Sequence, residues 1–181
     1  MGSSAASIVA GDDGIGALVA LAGPGIGAAP DKPFLIMGGT NDSIATTESV
    51  RSAFDRQVAL PRRYVSLDGA GHVGFMDLCL IARAQGGVLQ LARDYGLELS
   101  DLLVMLATDG CRPTDRRPEE VFPLVNHYVT AHLRIAFGID AEGTGYSQND
   151  AACFGDRVSE IEVITDNEGL ETDPGTPVTP E

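Results

Sequence analysis

The feature that most constrains this chain is a set of short, continuous apolar runs, each closed by glycine. They are Ile15 to Ala22 (IGALVALA), Phe34 to Met37 (FLIM, followed by Gly38-Gly39) and Tyr64 to Leu67 (YVSL, followed by Asp68-Gly69). Runs of this length without polar alternation are the habit of strands buried on both faces, as in parallel sheets. Between the second and third runs, Thr46 to Leu60 places Val50, Phe54 and Val58 at i, i+4 and i+8, one face of a helix. Strand, helix, strand with short connections is a βαβ unit, so the fold class is α/β with a short parallel sheet of about three strands.

After His72 the pattern turns helical. Leu78 to Ala84, Val88 to Tyr95, Leu99 to Ala107 and Glu119 to Phe137 carry helical spacing, with Ser100 placed to cap the third and Pro118 placed as the first residue of the fourth. Val158 to Thr165 alternates Ile161 and Val163 with Glu160 and Glu162, the pattern of an edge strand.

The net charge of −14 is unevenly placed. Residues 140–181 hold eleven acids against one base, Arg157, while the preceding part is close to balanced. Phosphate binding needs clustered Lys and Arg, so nucleic acid is excluded as a partner. We divide the chain at this shift: 1–139 as the folded part, 140–181 as an acidic, partly disordered tail. The longest uncharged stretch, 14–30, is broken by Gly and Pro and is no membrane span. No charged segment followed by an apolar one stands at the start, so no signal peptide is expected within these residues. Cys79, Cys111 and Cys153 fit no metal spacing, and composition alone leaves one disulfide plus a thiol, or three thiols, both open. His127 and His132, five apart on the last long helix, do not share a face and are not read as metal ligands.

Two loops carry the candidate chemistry, and both leave the carboxyl ends of expected parallel strands, where ligands gather in α/β sheets. GGTNDSIAT presents Asp42, and DGAGHVGFMDLC presents His72 between glycines. An acid and then a histidine on consecutive strand ends is the back half of a Ser…Asp…His triad. The segment GPGIG (23–27) lacks the spacing for phosphate binding and reads as a loop lining the cleft.

PFLIMGGTNDSIAT and RRYVSLDGAGHVGFMDLC resemble the acid and histidine loops of α/β-hydrolase esterases, the dienelactone-hydrolase-like and polyester-hydrolase-like lipases in particular. Those loops run Pro-x-Leu-x-x-x-Gly-x-x-Asp and then Gly-Ala-Gly-His-x-x-Phe, and the likeness extends from Met1 to Cys111. It implies a partial α/β-hydrolase fold, Asp42 as triad acid, His72 as base, a carboxylic-ester substrate, no cofactor and no metal. It also implies that Cys79 and Cys111 are the pair some secreted relatives bridge, which points to a secreted parent.

The family's G-x-S-x-G does not occur here. Register with the resemblance places the nucleophile one position before Met1, so that Met1 supplies one oxyanion-hole N–H and the chain is the carboxyl-terminal portion of a longer hydrolase, inactive alone. The apolar strand 15–22 would then present an open edge for a second copy or for the amino-terminal half. Two other readings stay open. One is an active, degenerate hydrolase with Ser4, in GSSAA, as nucleophile; the other is a hydrolase-like binding or assembly module without activity.

Overall fold

A computed structural model describes residues 10–23, 32–81 and 83–166. One four-stranded mixed sheet organises them, in the order β1-β2-β3-β4. Strand β1 (Leu18–Leu21) pairs in parallel with β2 (Phe34–Gly39), and β2 pairs in parallel with β3 (Arg62–Leu67), with Leu18 opposite Phe34 and Phe34 opposite Arg62. Strand β4 (Val158–Ile164) returns antiparallel along β3, Arg62 facing Ile164. Every residue of β2 and of β3 is buried, as expected when both sheet faces are covered, and in β3 this includes Arg62, Arg63 and Ser66.

The pleat sorts these side chains into two cores. Phe34, Ile36 and Tyr64 turn toward helix α1 (Thr47–Asp55) and its Val50, Ala53 and Phe54. Leu35, Met37, Val65 and Leu67 turn the other way, toward Val121, Leu124, Tyr128 and Ile135 of the long helix α4 (Pro118–Ala136). Between β3 and α4 run three short 3₁₀ turns (His72–Phe75, Asp77–Leu80, Arg83–Gln85) and helices α2 (Val88–Asp94) and α3 (Asp101–Thr108). Helix α5 (Gln148–Ala152) precedes β4. The caps sit where the sequence put them: Ser100 Oγ accepts the Leu103 N–H, and Pro118 is the first residue of α4, where its missing N–H has no intrahelical partner to lose. Among the described residues, no helix is long and apolar enough to cross a membrane.

Four expectations change. Helix α1 ends at Asp55, with Arg56 as its cap, so Val58 leaves the helical face and is 67% exposed as the chain turns toward Pro61 and β3. Strand β1 is shorter than the apolar run 15–22. The expected helix 78–84 is instead the pair of 3₁₀ turns. The segment 140–181, set apart as an acidic tail, contributes α5 and β4 to the fold up to residue 166. The two outward acids of β4, Glu160 and Glu162, are both matched by Arg51 of α1. That guanidinium also lies over the rings of Phe54 and Tyr64, 5.3 and 5.2 Å from their centroids. Ile161 and Val163, on the opposite side, pack against the α4 core.

A buried polar group ties the same region down. Arg63, fully buried on β3, pairs with Glu142, stacks on Tyr146 and donates from Nη1 to His132 Nδ1 at 3.1 Å. Arginine has no acceptor, so His132 must be the neutral tautomer with its proton on Nε2. Burial first, then the charge of Arg63, pushes its pKa down to about 4, against the pull of the Leu18 and Pro33 carbonyls. His127 is engaged elsewhere, on the Gly145 carbonyl and against Phe154.

Candidate functional site

Strands β2 and β3 are parallel neighbours, so the loops leaving their carboxyl ends emerge side by side. Asp42 lies three residues beyond the end of β2, and its side chain is completely buried. One oxygen, Oδ1, accepts the backbone N–H groups of Ile44 (2.8 Å) and Ala45 (2.7 Å), which fixes the carboxylate on its own loop. The other, Oδ2, stands 3.0 Å from Nδ1 of His72. His72 opens the 3₁₀ turn after β3, and its side chain is one-quarter exposed.

With Nδ1–H donating to Asp42, the neutral imidazole keeps Nε2 as a free base. The hydrogen bond to Asp42 holds the imidazole pKa above its ordinary value; burial opposes this, and the charges of Asp42 and Asp109 add to it. A basic imidazole, oriented by a buried carboxylate and open to solvent on one side, is equipped to take a proton from a nucleophile and return it.

The two loops meet a third segment that sequence reading did not single out. Asp109, at the end of α3, is buried beneath both. Burial alone would raise its pKa, but the Ser43 hydroxyl and N–H, the His72 N–H and the charge of Arg112 together bring it below the usual carboxylate value. The packing here is backbone against backbone. A Cβ on Gly71 would lie 2.5 Å from Gly110 Cα, and one on Gly39 would lie 2.1 Å from the Ala70 carbonyl oxygen. Glycine is required at these two places because nothing larger fits between the chains.

Cys79 and Cys111 form the disulfide that the resemblance implied, joining the segment after His72 to the segment after Asp109. Cys153 is free and exposed. A cleft of about 720 Å³ opens against this bridge, lined by Cys79 and Cys111 with Leu78, Val88, Leu89 and Pro118 among others, and neither Asp42 nor His72 lines it. Ser4, Met1 and most of the GPGIG loop fall outside the described residues. The structure therefore brings together Asp42 and His72 of the expected site residues, joins Cys79 to Cys111, and adds Asp109. The only sequence signal for Asp109 was an acid before a glycine at a helix end, in TDGC.

No model of a known protein family matches this chain, and no curated protein matches it significantly.

Proposed function

We propose that this chain carries the acid–base machinery of a serine hydrolase acting on carboxylic esters, and that its sheet is part of an α/β-hydrolase fold. The observation that supports the reading best is the 3.0 Å contact between His72 Nδ1 and Asp42 Oδ2, made by loops at the carboxyl ends of two adjacent parallel strands. The motif resemblance of the same two loops supports it independently.

On this reading His72 Nε2 removes the proton of a serine hydroxyl as its oxygen attacks the ester carbonyl. The proton passes to the departing alkoxide when the tetrahedral intermediate collapses to an acyl-enzyme. Water, deprotonated at the same nitrogen, then releases the acid. Asp42 keeps the proton on Nδ1 during the resting state and stabilises the imidazolium formed in each step. The resemblance places the serine one position before Met1 and gives the N–H of Met1, which lies outside the described residues, to the oxyanion hole.

The test is fluorophosphonate labelling together with hydrolysis of p-nitrophenyl butyrate. It uses the purified chain and the chain extended upstream in its own reading frame. The expected result is no labelling of the chain itself, with labelling and turnover of an extended chain containing Gly-x-Ser, both lost in His72→Ala. Rapid labelling of Ser4 in the unextended chain would move the nucleophile to that residue. An extended chain that turns over ester equally well after His72→Ala would overturn the assignment of the base.

A further inference from the structure

We propose that Asp109 is a positioning residue for the Asp42–His72 pair, its carboxylate holding the acid loop with one oxygen and the histidine loop with the other. The proposal rests on the hydrolase reading only for what the imidazole is used for; the placement is a matter of contacts.

Oδ2 of Asp109 accepts the Ser43 N–H at 2.9 Å and also the Ser43 hydroxyl, and Ser43 directly follows Asp42 in the chain. Oδ1 accepts the His72 N–H at 3.3 Å and Arg112 Nη2 at 2.6 Å. The backbone carbonyl of Asp109 adds a third hold, accepting the Val73 N–H at 2.7 Å. Thus one buried residue touches the neighbour of the acid, the base itself and the neighbour of the base.

Asp109 is braced in turn. Arg112 reaches from Asp109 to Asp115 through Nε at 3.0 Å and to the Asn41 carbonyl through Nη2 at 3.1 Å. Asp115 accepts the Gly110 and Arg112 N–H groups at 2.9 and 3.0 Å. Asn41 donates to Asp115 at 3.3 Å, and the Cys79–Cys111 bridge fastens the segment to the turn that follows His72. A buried carboxylate with hydrogen-bond donors on both oxygens is stable as a charge. Here those donors belong to the two loops whose separation decides whether Asp42 reaches Nδ1.

Among the described residues, the charged groups acting on the imidazole are Asp42 on the loop after β2 and Asp109 at the end of α3, with Arg112 bonded to Asp109 behind it. Asp68, at the start of the histidine loop, pairs at 3.1 Å with Arg116, which lies just before α4. Among the described residues, removing the Asp109 charge therefore leaves Asp42 as the remaining carboxylate acting on His72. Asp109 acts through geometry and field and not by touching a reacting atom.

The experiment is an NMR titration of the His72 ring in the full chain, assigned with His72→Gln and read beside thermal unfolding. Wild type should titrate above an ordinary histidine, and Asp42→Asn should bring it down. Asp109→Asn, which keeps the shape and removes the charge, should lower the His72 pKa. Asp109→Ala should lower it further and weaken the downfield Nδ1 proton signal that reports the bond to Asp42. Ser43→Ala, which removes one of the two donors from the acid loop to Asp109, should lower the His72 pKa by less than Asp109→Asn does, and Asp109→Asn carries the test if Asp109→Ala does not fold. Asp109 variants that lose thermal stability but titrate His72 as wild type does would overturn the positioning role while leaving the Asp42–His72 pair intact. A wild-type His72 that titrates at the ordinary value, unmoved by Asp42→Asn, would instead overturn the pair itself.

Discussion

Replacing Gly71 by alanine tests the tightness of this arrangement with an internal control three residues away. The added Cβ would stand 2.5 Å from both Cα and N of Gly110 and 2.8 Å from Asp109 Oδ1. Carbon atoms settle at about 3.5–4.0 Å, so the two chains must part by about 1 Å, and because the obstacle is backbone no rotamer change relieves it. Overpacking of this kind costs about 1–3 kcal/mol. The His72 N–H to Asp109 bond is already 3.3 Å long and does not survive that separation, which brings the total to about 2–4 kcal/mol. In a domain of this size the melting temperature should fall by roughly 4–16 °C. Gly74 lies in the same turn, yet a Cβ there would meet nothing within 4 Å. Gly74→Ala should be neutral or stabilising by about 0.4–1 kcal/mol, because alanine has fewer unfolded conformations to lose. Thermal unfolding followed by circular dichroism compares the two directly. Equal melting temperatures, or a larger loss in Gly74→Ala, would refute the close approach of the histidine loop and the Asp109 segment.

Two further outcomes follow from buried and covalent links. The Cys79–Cys111 bridge spans a sequence separation of 32, and reducing it or replacing both residues with serine should cost roughly 3–4 kcal/mol on the chain-entropy account, read as the loss in chemical-denaturation midpoint. An unchanged midpoint would mean the loop is already constrained in the unfolded chain. His132 is held neutral with a folded pKa of about 4 against 6.5 for an ordinary histidine. The unfolded chain therefore binds the extra proton between those values, and stability should decline by up to about 3 kcal/mol as pH falls from 6.5 toward 4. His72 has the opposite sign. Its pKa is raised, so its contribution is present below 6.5 and is lost as pH rises through the folded value. His132→Gln should flatten the acidic limb while leaving the His72 contribution in place; an acidic limb as steep as wild type would remove His132 as its cause.

The parts of the fold that could be read early are those whose causes are local. FLIM and YVSL are strands because apolar runs between glycines leave little else to form, and Asp42 and His72 come together because adjacent parallel strands place their following loops side by side. What escaped depends on partners distant in the chain. Glu160 and Glu162 counted as tail charge because no inspection of residues 140–181 reveals Arg51, 109 residues before Glu160. Arg62 and Arg63 look like a polar approach to β3. They are instead buried strand residues, Arg62 over the Phe54 ring and Arg63 on His132 and Glu142. Asp109 looks like the end of a helix until the fold carries it beneath two loops from which it is separated by 37 residues of chain and more.

The glycine before His72 is there for a different reason from the one the sequence suggests. Glycines beside a histidine suggest a backbone turn that only glycine adopts, yet Gly71 has φ −101° and ψ 177°, a conformation open to any residue. What excludes a side chain is the Gly110 backbone, and Gly110 in turn has φ +110° and no room for a Cβ, which would lie 2.5 Å from Gly74 N. The glycines of GAGH and of TDGC are thus two sides of one contact. Read together, they mark the place where Asp109 reaches His72, which neither motif discloses alone. It follows that a chain able to keep the Asp42–His72 pair while accepting a side chain at position 71 must have moved the Asp109 segment away. In such a chain the imidazole would depend on Asp42 alone.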